Sequence, residues 1–172
     1  MNRTIFTIGH STRTIDVFIA SLRQIDVTLL LDIRSIPRSS AVPHINVETL
    51  PPALAVSGIE YRHLLALGGR RHRPRDAPPS TNTLWRVAAF RNYADYAQTA
   101  AFRVRLDELL ALARIQQCAI MCAVSGWWRC HRRIVADYLL TRDVRVGAHH
   151  GGGAIDAGHT HAGRHSNGRW DH

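Results

Sequence analysis

Residues 27–33, Val-Thr-Leu-Leu-Leu-Asp-Ile, are a nearly unbroken apolar run of strand length. A strand wet on one face alternates apolar and polar residues. A run without alternation suits a strand covered on both faces, as in a parallel sheet with helices above and below. The flanking segments agree. Residues 4–8 are a short apolar strand stopped by Gly9. Residues 15–25 put Ile15, Phe18, Ile19 and Leu22 on one helical stripe, with Ser11 or Thr12 as cap. Strand, helix, strand in that order predicts a right-handed βαβ unit.

The alternation continues. Residues 47–57 read as a helix entered through Asn46 and closed by Gly58, with Pro51 and Pro52 in its first turn. Residues 59–65 read as a strand. Residues 68–83 are rich in Gly, Arg, Pro and Ser and read as a long basic loop, and 84–96 bring Trp85, Phe90, Tyr93 and Tyr96. Residues 102–113 read as an amphipathic helix, 119–123 as a central strand, 129–140 as a helix and 143–146 as a last short strand. The fold class is therefore α/β, a three-layer sandwich with a mostly parallel sheet. Residues 1–148 form its single domain, and 149–172 form a Gly/His-rich tail expected to be poorly ordered.

Composition narrows the function. The chain has 172 residues, enough for one domain, and is 45% hydrophobic, enough for a core. Its net charge of +9, with arginine at every Lys-or-Arg position, favours nucleic acid, phosphorylated ligands or acidic partners. A generally arginine-rich proteome would give the same balance. Three cysteines, Cys118, Cys122 and Cys130, do not make a disulfide framework. The first residues lack a leader's apolar core, and no run is long enough to span a membrane. A reducing cytoplasm is the expected setting.

In parallel sheets ligands bind beyond the carboxyl ends of the strands. That rule gathers His10 and Ser11, Asp32 and Arg34, and the segment from Cys122 to Arg132. A strand running through Ser125-Gly126 into a helix would aim amide N–H groups and the helix dipole at an anion. Cys122 and Cys130 are the candidate thiolates, with His10 and His131 as proton-transfer groups. Arg34, Arg129 and Arg132 form the anion clamp, with Ser11 and Asp32 beside them. Arg129 is one residue too distant for the Cys-x5-Arg loop of phosphatases. Cys118, and Cys122 as well, equally suit small buried core positions. Arg70, Arg71, Arg73 and Arg75, with Trp85 and Tyr93 nearby, suit single-stranded nucleic acid. Cys122, Cys130 and His131 lack the close Cys-x2-Cys pairing of a structural zinc site, so no metal is assigned and no cofactor is expected. The histidines at 149, 150, 159, 161, 165 and 172 suit adventitious metal uptake.

Several motifs occur in order. They are Thr7-Ile-Gly-His-Ser-Thr12, Asp32-Ile-Arg-Ser-Ile-Pro-Arg-Ser39, Pro43-His-Ile-Asn46, Gly58-Ile-Glu-Tyr-Arg-His-Leu64, Leu67-Gly-Gly-Arg70, Phe90-Arg-Asn-Tyr-Ala-Asp-Tyr96 and Trp128-Arg-Cys-His-Arg132. Over residues 4–146 the chain resembles the bacterial and archaeal family called domain of unknown function 488. The resemblance implies a compact α/β domain and no settled activity. Members of that family usually carry Cys-Ala-Glu where this chain has Cys122-Ala-Val124. A glutamate acting as acid, base or ligand would be missing here. The expectation is an anion-binding, cysteine-containing site acting on a phosphorylated or nucleic-acid substrate, its reaction left open. A non-catalytic nucleic-acid-binding module and a metal-binding protein are the alternatives.

Overall fold

The computed structural model describes residues 4–149 and 154–156. In chain order it has β1 (Ile5–Gly9), α1 (Ile15–Gln24), β2 (Leu29–Asp32), α2 (Leu50–Val56) and β3 (Glu60–His63). Then come α3 (Ala88–Ala97), α4 (Ala100–Ile115), β4 (Cys118–Cys122), α5 (Arg132–Leu140), β5 (Val146–His149) and β6 (Ala154–Asp156). The sheet order is β3-β2-β4-β1-β5-β6. β1 to β5 are parallel, and β6 pairs antiparallel with β5 at one edge. Among the described residues no helix is long and apolar enough to cross a membrane.

The uniform apolarity of β2 has the expected cause. Leu29, Leu31 and Ile33 enter one core with Phe102, Leu106, Leu109, Ile134, Val135 and Leu139 from α4 and α5. Leu30 enters the other with Phe18, Leu22, Leu50 and Leu54 from α1 and α2. All three leucines are fully buried. The molecule is thus a single α/β domain in three layers, with α1 and α2 on one face and α3 to α5 on the other.

Several boundaries differ from the sequence reading. The cap of α1 is Thr14, whose hydroxyl accepts the amide N–H of Val17, rather than Ser11 or Thr12. Ser11 instead turns the chain with a left-handed φ of 49°. Residues 47–49 stay outside α2, because the Asn46 carbonyl accepts the amides of Thr49 and Leu50 in a turn. The last parallel strand is Val146–His149, not 143–146. The chain is still turning at Asp143, where φ is 58° and its amide donates to Leu140. A Cβ at Gly147 would press on the Phe6 ring, so glycine is what this strand position requires. His149 and Ala154–Asp156, assigned from sequence to the tail, belong to the sheet. The rest of the expected tail, 150–153 and 157–172, lies outside the described residues.

Candidate functional site

The topology juxtaposes three loops. β4 lies between β2 and β1, so the residues after these strands meet at one end of the sheet. The backbone ladder continues past the strands. His10 donates its amide to the Cys122 carbonyl at 3.0 Å, Ser11 to Ala123 at 2.9 Å and Ile33 to Met121 at 3.0 Å. A Cβ on Gly9 would collide with the Val124 carbonyl. Glycine is therefore what allows the segment after β4 to cross the end of β1.

Cys122, at the end of β4, points to the same face as Cys118 and Ile120, toward α5. From there the chain makes a short 3-10 turn, Trp127–Arg129, before Cys130 and His131 lead into α5. The fold-back places Cys122 Sγ, Cys130 Sγ and a ring nitrogen of His131 all within 4.8 Å of one another. Cys130 Sγ is 3.3 Å from His131 Nδ1. The other ring nitrogen, Nε2, donates to the Ile33 carbonyl at 2.9 Å. That bond fixes the tautomer, so in the neutral ring the Nδ1 lone pair faces the sulfurs.

The loop after β3 holds the imidazole from the far side. A Cβ on Gly69 would overlap the His131 ring. Tyr93 of α3 lies 5.1 Å from that ring, centroid to centroid, and its hydroxyl donates to the Leu67 carbonyl at 2.8 Å. Tyr96 donates to Ala66 at 2.5 Å. Two tyrosines of α3 thereby pin the turn that presses Gly69 onto His131.

The two sulfurs are electrostatically unequal. A hydrogen bond from the Cys122 thiol draws the Cys130 pKa far down against the penalty of burial, with His131 and Arg132 assisting. The same bond, with burial, pushes Cys122 up. Arg132 is fully buried, and its Nε and Nη1 have no hydrogen-bond partner among the described residues. Its Nη2 donates to the Val124 carbonyl. Its charge favours the thiolate form of both cysteines.

Beside the cluster, Asp32 and Arg34 form a buried pair. Arg34 Nε donates to Asp32 Oδ1 at 2.9 Å and Nη2 to Oδ2 at 2.6 Å. Tyr61, which sequence reasoning missed, donates its hydroxyl to Oδ2 at 2.6 Å, and its pKa is raised by burial and the Asp32 charge. Arg34 Nη2 also reaches the Ile45 carbonyl, and Nη1 approaches His10 Nε2 at 3.4 Å. His10 donates from Nδ1 to the Ser11 carbonyl. Burial, and then the Arg34 charge, lower its pKa against that bond.

These residues frame a cleft of about 450 Å³. Cys122, Cys130 and His131 line it, together with His10, Arg34, Arg38, Arg70, Arg129, Phe90 and Ile36. Among the described residues, no Asp or Glu lines it. Arg70 enters through its loop, where its amide donates to Ser35 Oγ at 2.8 Å. Arg38 forms an exposed ion pair with Glu48.

Not every residue singled out from sequence faces the cleft. Arg132 stands in the interior as a fixed charge, not in the clamp, because α5 begins at Arg132 and turns that side chain inward. Asp32 is fully buried and holds Arg34. Ser11 shapes the β1 turn and does not line the cleft. The expected strand–loop–helix amide cradle is altered by the 3-10 turn. The amides of Arg129 and Cys130 bond to Gly126 and Trp127, and α5 starts after them. Of the basic loop, Arg71 folds inward. It donates to the Gly68, Leu65 and Ala66 carbonyls and lies 3.7 Å above the Tyr96 ring. Arg73 donates to Ala77, and Arg75 is exposed. Arg38, Tyr61 and Gly69 sit inside motifs visible in the sequence, but nothing in their spacing showed which side chain they would meet.

Fold and site together define a class: a three-layer α/β protein with a cleft at the carboxyl ends of its central strands, floored by two cysteines and a histidine. The chain belongs to the family described as Domain of unknown function DUF488, whose model matches residues 14–139. No curated protein and no solved structure matches it.

Proposed function

We propose that the cleft binds a phosphate-bearing small molecule of nucleotide size, with the Cys122–Cys130–His131 cluster as its reactive centre. The observation that carries this reading is the lining: among the described residues it has four arginines, two cysteines and two histidines and no carboxylate. The Arg34 charge is largely met by Asp32, and an exposed pair such as Arg38 with Glu48 is weak. Arg38, Arg70 and Arg129 are then the main attraction for an anion. Phe90 and Ile36 supply an apolar wall for a base or similar ring, and the volume is in the range of small-molecule sites. Free thiols suit a reducing cytoplasm.

Calorimetric titration with adenosine monophosphate tests this. Binding is expected in the wild type, and Arg70→Ala or Arg129→Ala should weaken it about tenfold or more, the usual loss for a charge-assisted hydrogen bond. Undiminished binding in a chain carrying both substitutions contradicts it.

Nucleic-acid binding is the second reading. A hollow of about 710 Å³ lined by Arg70, Arg71, Arg73 and Pro74 adjoins the cleft and shares Arg70 with it. A single strand held there must bind more weakly as salt rises. A labelled oligonucleotide whose affinity does not fall between low and moderate salt excludes it.

A further inference from the structure

Two thiols this close raise a question that a single nucleophilic cysteine does not. One anionic sulfur can be stabilised by its neighbour's proton. Two cannot share so small a volume unless a cation stands between them. In tetrahedral zinc coordination, Zn–S near 2.3 Å and Zn–N near 2.0 Å place sulfur and nitrogen donors roughly 3.5–3.8 Å apart. Cys130 Sγ and His131 Nδ1 are already 3.3 Å apart, and all three donor atoms fall within 4.8 Å. The absence of a Cys-x2-Cys pair is no obstacle, because β4 and the 3-10 turn bring the donors together through the fold.

Second-sphere features agree. A metal-binding histidine generally donates its other ring N–H to a carbonyl or carboxylate, which orients the ligand nitrogen. His131 does so to Ile33. Gly69 and Tyr93 hold the ring in place.

We infer that Cys122, Cys130 and His131 form a site for a zinc-type divalent cation, bound through the two Sγ atoms and Nδ1 with a fourth position open to the cleft. Binding displaces the one thiol proton that the two sulfurs share, leaving both as thiolates and the imidazole neutral. Two sulfurs and one nitrogen select borderline-soft metals over magnesium or calcium. Three protein ligands with one open position is the arrangement of catalytic rather than structural zinc, and such a cation polarises a substrate oxygen. The inference rests on the reading of this cluster as the reactive centre of the cleft.

Cobalt(II) is the probe, added to the untagged full chain purified without a metal column. The histidines near the end of the sequence would take up cobalt without sulfur. The readout is therefore the near-ultraviolet thiolate-to-cobalt charge-transfer band, which only cysteine ligands produce. The expected result is a band that saturates at one cation per chain, is displaced by zinc, and is lost in Cys122→Ser and in Cys130→Ser but kept in Cys118→Ser. Absence of the band from the wild type, or its survival in both cluster variants, overturns the inference.

A second measurement needs no variant. Zinc should slow the reaction of the wild-type thiols with a disulfide reagent, and a chelator should restore it. Equal rates with and without zinc overturn the inference. Failure here is distinguishable from failure of the anion reading. An Arg70→Ala, Arg129→Ala chain should lose adenosine monophosphate and keep the cobalt band, whereas a chain that binds the nucleotide without forming the band retains the cleft and loses the metal.

Discussion

Asp32 shows how single residues hold this site. Fully buried, it accepts from both ends of the Arg34 fork and from the Tyr61 hydroxyl. Asp32→Ala would leave a buried guanidinium without its countercharge, so a loss of about 3–5 kcal/mol is expected in urea unfolding. Tyr61→Phe removes one hydrogen bond and should cost only about 1 kcal/mol. Equal losses in the two variants would show that the carboxylate is not the centre of this network. The sequence placed Asp32 and Arg34 together at a strand end, two residues apart, but with Arg34 as part of the anion clamp. It could not show that Tyr61 completes the pair, since that contact spans from β2 to β3. Nor could it show that Arg132 turns inward while Arg129 lines the cleft. That difference depends on where α5 begins, three residues later than the Arg129 start read from the periodicity.

At the scale of elements, α3 is the part that positions others. Its tyrosines fix the turn carrying Gly69, and its Asp95 anchors the start of the chain leading into it. Asp95 Oδ1 accepts from Ser80 Oγ and from Asn82 Nδ2, each at 2.6 Å. The Ser80 bond holds the Asp95 pKa below its ordinary 3.8 against the opposing effect of burial, with the Asn82 bond and then the Arg73 and Arg91 charges assisting. A carboxylate depressed by folding contributes stability that is present above its unfolded value and lost as pH falls through the folded one. The anchoring should therefore persist through neutral pH and fade only below about pH 4. In an NMR titration, the Asn82 amide should shift in that acid range, and Asp95→Asn should produce the shift at pH 7. An Asn82 amide indifferent to both contradicts the anchor. The helices α1, α4 and α5 were legible because their apolar stripes repeat at helical spacing, whereas α3 was not, since residues 84–96 read only as a segment carrying aromatics. The basic loop before α3 has no period, so the inward fold of Arg71 over Tyr96 was not.

Over the whole molecule, the continuous apolar run of β2 gave the architecture, because only a strand buried on both faces tolerates it. Leu30 packs against α1 and α2, and Leu31 against the α3–α5 side. Leu30→Ala and Leu31→Ala should each cost about 2–5 kcal/mol in chemical unfolding. A near-neutral result for either would mean that one layer is not packed as described. The meeting of β1, β2 and β4 at one cleft was legible in outline from the parallel-sheet rule. The convergence of Cys122, Cys130 and His131 was not, because a 3-10 turn rather than a continuous helix returns the chain to the end of β4. The most direct test of the site is an amide NMR map of the protein titrated with adenosine monophosphate. Shifts are expected at Gly69, Arg70, Val124, Arg129, Cys130 and His131, with none at Ile19, Ala20 or Val56 on the α1–α2 face. Shifts confined to residues 73–81, or absent from the cleft altogether, would contradict the placement of the site.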